Sequence, residues 1–162
     1  NMVNPKIFYK SLNTFFDKIE KKFKKKVIIA AHPKAKKHPY FENRKVVSNK
    51  NIELSKNCFS SIAHNSTSIS FSIIFRKPII FILNNEMLRV DIDKKQKISC
   101  FANELNFPVF NIDNKDTIIN LSKYLKNVNK KKYHQYYKNY ISYNTNKNKK
   151  IGEIICEIFS FN

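Results

Sequence analysis

A polar segment that follows an apolar run carries the residues best suited to bind an anion. The run is Cys58–Ala63, and His64, Asn65, Ser66 and Thr67 follow it directly. Imidazole, amide and hydroxyl groups supply hydrogen-bond donors, and the last three residue types are common N-caps of helices. If a helix starts here, the N–H groups of its first turn also point at a bound anion. The segment predicts a phosphate site, and the same residues also suit a helix cap that binds nothing.

A second histidine occupies the same kind of position. His32 follows the apolar run Val27–Ala31 and precedes Pro33 and Lys34. An imidazole beside a lysine can hold a phosphate or a nucleotide ribose, although a histidine at a strand end often has only a structural role. Ligands of parallel sheets bind beyond the carboxyl ends of the strands, so both polar segments are expected at one edge.

The segment between the second histidine and the next apolar run is predicted to cross between parallel strands. Fourteen residues, His64 to Lys77, precede the apolar run Pro78–Leu83. Parallel strands need a crossover of about a dozen residues, usually a helix. Thr67–Ile73 also alternates apolar and polar residues, which favours a strand. The length of the connection favours the helix.

The rest of the chain alternates between predicted helices and strands. Helices are predicted over residues 5–25, 51–57, 95–105 and 114–126, strands over 27–31, 45–47, 58–63, 78–83 and 107–112, and a polar connection over 84–94. Asn4 and Pro5 are the expected start of the first helix. This order predicts an α/β domain with a Rossmann-like parallel sheet and helices on both faces.

Two apolar stripes predict helices in the C-terminal part. They consist of tyrosines at 133, 136, 137 and 140 and of isoleucines at 151, 154, 155 and 158. We expect residues 1–128 to form the Rossmann-like domain, and residues 129–162 to pack on it or on a missing N-terminal domain.

Composition restricts the functional classes. The 162 residues carry a formal net charge of +19, from 28 Lys and 3 Arg against 12 acidic residues. A basic module that binds nucleic acid, with the tyrosine stripe as a stacking surface, is therefore an alternative. The scattered lysines favour a solvated surface instead, because nucleic-acid readers rely on arginine, and nucleic acid is not the expected partner. The single glycine, Gly152, excludes dinucleotide-binding and P-loop glycine motifs.

Neither a membrane span nor a signal peptide is expected. No apolar run approaches the length of about 20 residues that a bilayer requires, and Asn1–Pro5 leads directly into the first helix. We expect a cytoplasmic protein, at the inner face of the membrane if its lysines contact anionic lipid. The four histidines have no cysteine or carboxylate at metal-ligand spacing, so no metal or other cofactor is expected.

The polar segments also resemble a known family in their order along the chain. Five short segments carry the resemblance. In chain order they are Val27-Ile-Ile-Ala-Ala-His-Pro33, Phe41-Glu-Asn-Arg44, Glu53-Leu54, His64-Asn-Ser-Thr-Ser68 and Lys77-Pro-Ile-Ile-Phe81. They are similar to the C-terminal, donor-nucleotide-binding half of bacterial GT-B glycosyltransferases of capsule and surface-polysaccharide biosynthesis. A similar layout occurs in sialyltransferases, in the Kdo transferases of capsule export and in teichoic acid glycerophosphotransferases.

The resemblance covers about residues 5–90 and implies roles for particular residues. In that family the His-Pro element lies against the donor nucleotide, which implies this position for His32 and Pro33. The Ser/Thr element binds the phosphates, which implies Ser66 and Thr67. Further candidates for the nucleotide and phosphate site are Lys34, Arg44, His64 and Asn65.

The resemblance also implies an activity. The chain is expected to be the donor-binding part of a glycosyltransferase, incomplete on its own, with a related glycerophosphotransferase as an alternative. Its substrate would be a nucleotide-sugar, linked to CMP or UDP, and its acceptor a glycan or a lipid-linked acceptor. No catalytic base is assigned.

Overall fold

The structure, a computed structural model, describes residues 2–32, 39–126 and 128–142. Its helices are α1 (Pro5–Phe23), α2 (Asn51–Asn57), α3 (Ile69–Ile74), α4 (Asn85–Val90), α5 (Lys94–Glu104), α6 (Thr117–Leu125) and α7 (Lys130–Tyr136), with a 3-10 turn at Pro39–Phe41 and a π-helical turn at Tyr137–Ile141. Its strands are β1 (Ile29–Ala31), β2 (Val46–Ser48), β3 (Ser61–Ala63), β4 (Ile79–Leu83) and β5 (Val109–Asn111). The predicted isoleucine stripe at 151–158 lies outside the described residues.

The described strands form two sheets, and every strand pair is parallel. One sheet has the order β1-β2 and the other has the order β3-β4-β5. The parallel α/β class is confirmed and is compatible with a Rossmann-like arrangement. The pairing differs from the single sheet that we expected, because hydrogen bonds join the strands as two and three rather than as five.

Strand β4 forms the centre of the molecule and is buried along its whole length. Its alternate side chains enter two different cores, as the period of two in a strand requires. Ile79, Phe81 and Leu83 pack in one cluster with residues of α3, α5 and α7. Ile80 and Ile82 pack in the other with residues of α1 and α6. Helices therefore cover both faces of this sheet, as predicted.

Helix α1 is the longest helix and begins where the sequence predicts. The side chain of Asn4 caps it by accepting a hydrogen bond from the Lys6 N–H group. Its apolar stripe is buried at Leu12, Phe15, Phe16 and Ile19. Burial of this stripe, rather than helix propensity alone, stabilises a surface helix.

The connection between β3 and β4 is helical, which resolves the ambiguity of its sequence pattern. Ile69, Ser72 and Ile73 are buried at helical spacing, and the parallel pairing of β3 with β4 requires a crossover. The expected caps are wrong in detail, because Ser68 holds the N-cap position and its side chain makes no capping hydrogen bond.

The polar connection predicted at residues 84–94 is wrong, because it contains helix α4. Asn84 caps this helix by accepting a hydrogen bond from the Met87 N–H group at 2.9 Å. Glu86 is buried and its carboxylate accepts hydrogen bonds from the Arg89 guanidinium and from the Asn4 N–H group. These bonds lower the pKa of Glu86 to about 2, so its charge is retained in the fold. The bond from Asn4 is long-range and leaves no local pattern, whereas the Asn84 cap and the spacing of three residues between Glu86 and Arg89 are local signals of this helix.

The tyrosine stripe is only partly exposed. Tyr133 and Tyr136 are buried in the cluster that contains Phe81, whereas Tyr137 and Tyr140 are exposed. The Tyr133 hydroxyl donates a hydrogen bond to the Lys77 carbonyl at 2.8 Å. The stripe therefore attaches α7 to the domain and does not provide four exposed rings for stacking on nucleic acid.

No helix in the described ranges combines the length and the apolar character needed to cross a bilayer.

Burial of the α1 stripe gives the first testable prediction. Phe15 is 1% exposed, so Phe15→Ala removes its packing and leaves a cavity. We expect the free energy of unfolding to fall by about 3–5 kcal/mol. Ile7→Ala, on the same helix at a residue that is 54% exposed, is the matched control and should change it by less than about 0.5 kcal/mol. Urea unfolding of both variants measures this, and equal losses would contradict the assignment of α1 to the core.

Candidate functional site at the carboxyl ends of the strands

His64 lies at the carboxyl end of β3 and is held by two neighbours. Its Nδ1 atom is 2.9 Å from the carbonyl oxygen of Ile82 in the adjacent strand. Its ring centroid is 5.9 Å from that of Phe8 in α1. A carbonyl oxygen only accepts hydrogen bonds, so Nδ1 carries the proton. The free atom, Nε2, is then a hydrogen-bond acceptor in the neutral ring.

The surroundings of His64 favour this neutral form. Desolvation by burial lowers the pKa of His64 below its ordinary value of 6.5, and the hydrogen bond to Ile82 only partly opposes this. The positive charge of Lys94, the first residue of α5, lowers the pKa further. His64 therefore supplies an acceptor at neutral pH, while Lys94 supplies the positive charge.

The turn after His64 presents backbone donors to solvent. Asn65 and Thr67 are exposed and Ser66 is half-buried. In the described part of the chain, no oxygen accepts a hydrogen bond from the N–H groups of these three residues. The Ser66 hydroxyl is 2.7 Å from the Ser68 hydroxyl and accepts a weaker bond from the Ser68 N–H group at 3.3 Å. Successive N–H groups without an internal acceptor, with hydroxyls beside them, are donors that an anion could accept.

Polar residues also follow the other two strands of this sheet. Asn84 and Asn85 follow β4, and Asp113 follows β5. The Asp113 carboxylate accepts hydrogen bonds from the Asn85 N–H group at 2.7 Å and from the Ser11 hydroxyl. The Asn111 side-chain amide donates to the Asn85 side-chain oxygen at 2.7 Å. The N–H group of Asn85, the first residue of α4, is thus bonded to the Asp113 carboxylate. The N–H groups of residues 65–67, in the turn after β3, have no such acceptor in the described part of the chain.

These residues were missed by the sequence analysis, although the signal was present. The rule that selected His32 and His64 was the presence of a polar residue just after an apolar run. Asn84 and Asp113 satisfy the same rule after Leu83 and Ile112. The contribution of Lys94 carried no such signal, because it depends on how α4 and α5 turn back toward β3.

A cavity of about 520 Å³ opens beside the end of β5. Its lining includes Asn111, Asp113, Lys115, Thr117 and Asn120. Carboxylate, amide and hydroxyl groups of this kind donate to and accept from hydroxyl groups of a ligand. The cavity is therefore suited to a polyhydroxylated molecule.

His64 follows β3 of the three-stranded sheet, whereas β1 belongs to the two-stranded sheet. The expectation that the two histidines share one edge of a single sheet is therefore not confirmed for His32. His32 directly follows the last residue of β1 and is exposed, whereas Pro33 and Lys34 lie outside the described ranges. Helix α1 contacts His64 and the connection between β1 and β2. Phe8 lies against His64, and Tyr9 stacks at 4.6 Å on Tyr40, in the connection between β1 and β2.

Arg44 is bound to carboxylates of the protein, so we do not assign its guanidinium to a phosphate. Its guanidinium forms ion pairs with Asp17, with Glu20 at 2.9 Å and with Glu42 at 3.4 Å, and its side chain is only 7% exposed. It also lies over the Phe16 ring, 5.4 Å from the centroid. An arginine bound in this way attaches the segment before β2 to α1.

No three His, Cys, Asp or Glu residues are grouped to hold a metal ion within the described residues.

The protonation of His64 gives the second prediction. NMR titration of its imidazole should give an apparent pKa below 6.5, and Lys94→Gln should raise that pKa by removing a positive charge. Lys95→Gln removes the same charge from the next, exposed position and is the matched control. Unfolded His64 binds a proton more readily than the folded residue does, so the free energy of unfolding should fall as the pH drops below 6.5. A titration at or above 6.5 that neither variant changes would contradict the burial of the ring.

Comparison of the chain with protein-family models, with curated proteins and with solved structures finds no match in any of the three.

Proposed function

We propose that this chain is the donor-nucleotide-binding part of a glycosyltransferase that uses nucleotide-sugars in surface-polysaccharide biosynthesis, as one half of a GT-B fold. The observation that carries the proposal is the turn after β3, where the N–H groups of Asn65, Ser66 and Thr67 are available at the carboxyl end of a parallel strand. Ligands of parallel α/β sheets bind at this edge. The order of polar segments that resembles the family supports the same assignment.

In this proposal, different groups at the turn contact different parts of the donor. The three N–H groups and the hydroxyls of Ser66 and Thr67 bind the phosphates. Lys94, close enough to lower the pKa of His64, balances their negative charge. His64 accepts a hydrogen bond from a hydroxyl or an N–H group of the nucleotide, because its neutral ring has a free acceptor at Nε2.

The cavity beside β5 takes the sugar. Strands β3 and β5 flank β4, so their ends are two strand spacings apart, about 10 Å. Phosphates at the end of β3 and a sugar beside Asn111 and Asp113 then match the length of an extended donor. His32, Pro33 and Lys34 are assigned to the nucleotide by the resemblance alone.

The same groups stabilise the departing nucleotide. Transfer of the sugar to a glycan or lipid-linked acceptor leaves negative charge on the nucleoside phosphate. Donors that are already oriented stabilise this charge without reorganisation, which is the usual origin of such catalysis. No base is assigned among the described residues, and a related transfer of glycerophosphate would use the same phosphate site.

Calorimetry with CMP, UDP, CDP and GDP tests the proposal. We expect one of these nucleotides to bind, and Ser66→Ala combined with Thr67→Ala to weaken its binding by about 100-fold or more, since each of the two hydroxyls bonds a charged group. Thr14→Ala removes a hydroxyl from the exposed face of α1 and is the matched control.

Both variants should retain the circular dichroism spectrum of the unmodified protein. If none of the four nucleotides binds the folded protein, or if the double variant binds as tightly as the Thr14→Ala control, the assignment is wrong.

A further inference from the structure

A second surface lies at the opposite end of α1 from His64. Five lysines occupy the end of this helix and the following segment, at positions 21, 22, 24, 25 and 26, and all are exposed. None of them forms a salt bridge with a carboxylate in the described part of the chain. We call these lysines, together with Ile28 and Phe59, the lysine–aromatic surface.

The acidic residues nearest to these lysines in sequence are already engaged. Glu20 accepts a hydrogen bond from the Val27 N–H group at 2.7 Å and binds Arg44 at 2.9 Å. Asp17 also binds Arg44. The fold therefore uses these local carboxylates for an internal arginine and leaves the five lysines without a carboxylate partner in the described residues. Lys22 donates a hydrogen bond to the Ile118 carbonyl at 2.8 Å.

Large apolar side chains are exposed beside the lysines. Phe59 is 50% exposed and Ile28 is 46% exposed. The Phe59 ring is held against Phe23, the last residue of α1, with 6.5 Å between the centroids. This contact brings the segment that enters β3 next to the lysines that precede β1.

We propose that the lysine–aromatic surface docks on an anionic lipid bilayer. Lysines near such a bilayer are attracted by its negative surface potential. An aliphatic and an aromatic side chain can enter the boundary between headgroups and acyl chains. Nucleic acid fits this surface less well, because the surface contains no arginine for bidentate contacts and only one ring, that of Phe59, on which a base could stack.

Docking through this surface leaves the candidate site accessible. Phe8, near the start of α1, contacts His64, and Phe23, at its end, contacts Phe59. The 19 residues of α1 span about 28 Å at a rise of about 1.5 Å per residue. Phe8 and Phe23 are 15 positions apart, about 22 Å along the helix, so His64 and the turn after it lie at a distance from the lysine–aromatic surface. Docking does not depend on the proposed enzymatic function.

Vesicle flotation tests the proposal with the full chain. The protein should float with vesicles of equal parts phosphatidylcholine and phosphatidylglycerol, and not with vesicles of phosphatidylcholine alone. The triple variant Lys21→Gln, Lys25→Gln, Lys26→Gln should lower the partition coefficient about 100-fold, because each lysine contributes to the attraction.

A matched variant distinguishes binding through this surface from general attraction caused by the overall charge of +19. The triple variant Lys6→Gln, Lys10→Gln, Lys95→Gln removes the same charge from exposed lysines elsewhere and should float almost as well as the unmodified protein. Equal losses in the two triple variants, or no flotation of the unmodified protein with anionic vesicles, overturn the proposal.

The contribution of an apolar side chain to binding distinguishes a bilayer from other polyanions. Ile28→Ser should weaken vesicle binding about tenfold, because it removes apolar area that enters the bilayer. Unchanged binding by this variant would identify a general polyanion site and overturn the assignment to lipid. Competition by a single-stranded oligonucleotide would then point to nucleic acid.

Discussion

The fold depends on the complete burial of β4 between two layers of helices. All five residues of this strand are buried, and its alternate side chains enter two separate cores. A parallel strand in this position requires crossovers on both sides, which place α3 before it and α4 and α5 after it. The carboxyl ends of β3, β4 and β5 then meet at one edge, where His64, Asn84 and Asp113 follow them.

Helix α1 holds the parts of the molecule together. Its start binds the buried Glu86 of α4 through the Asn4 N–H group, and its middle pairs with Arg44 through Asp17 and Glu20. Only the Arg44 side chain is buried, whereas its carboxylate partners are partly or largely exposed, so the charge that would be costly to leave uncompensated is that of the guanidinium. Arg44 therefore contributes to the attachment of the β1-β2 sheet, although its residue type alone suggested a phosphate ligand.

More of the fold than of the candidate site could be predicted from the sequence. The α1 stripe and the run that forms β4 are local patterns, and these predictions are confirmed. The polar residues at 64–67 follow β3 as expected, and their role in binding phosphate stays a prediction. The crossover was ambiguous because Thr67–Ile73 has the period of a strand, and only its pairing context makes it helical. Helix α4 was missed although its signals are local: Asn84 caps it, and Glu86 pairs with Arg89 three residues further on. Only the bond from the Asn4 N–H group to Glu86 joins residues distant in the chain. The surroundings that keep His64 neutral likewise come from Ile82 and Lys94, which no local pattern connects to it.

The central claim is that the turn after β3 receives the phosphates of a nucleotide. The most direct test is to follow backbone amide signals by heteronuclear NMR while the nucleotide that binds is added. We expect the largest shifts at Asn65, Ser66 and Thr67, with smaller shifts at the ends of β4 and β5. Shifts confined to the lysines at the end of α1, or shifts absent from the turn at saturation, would contradict the account.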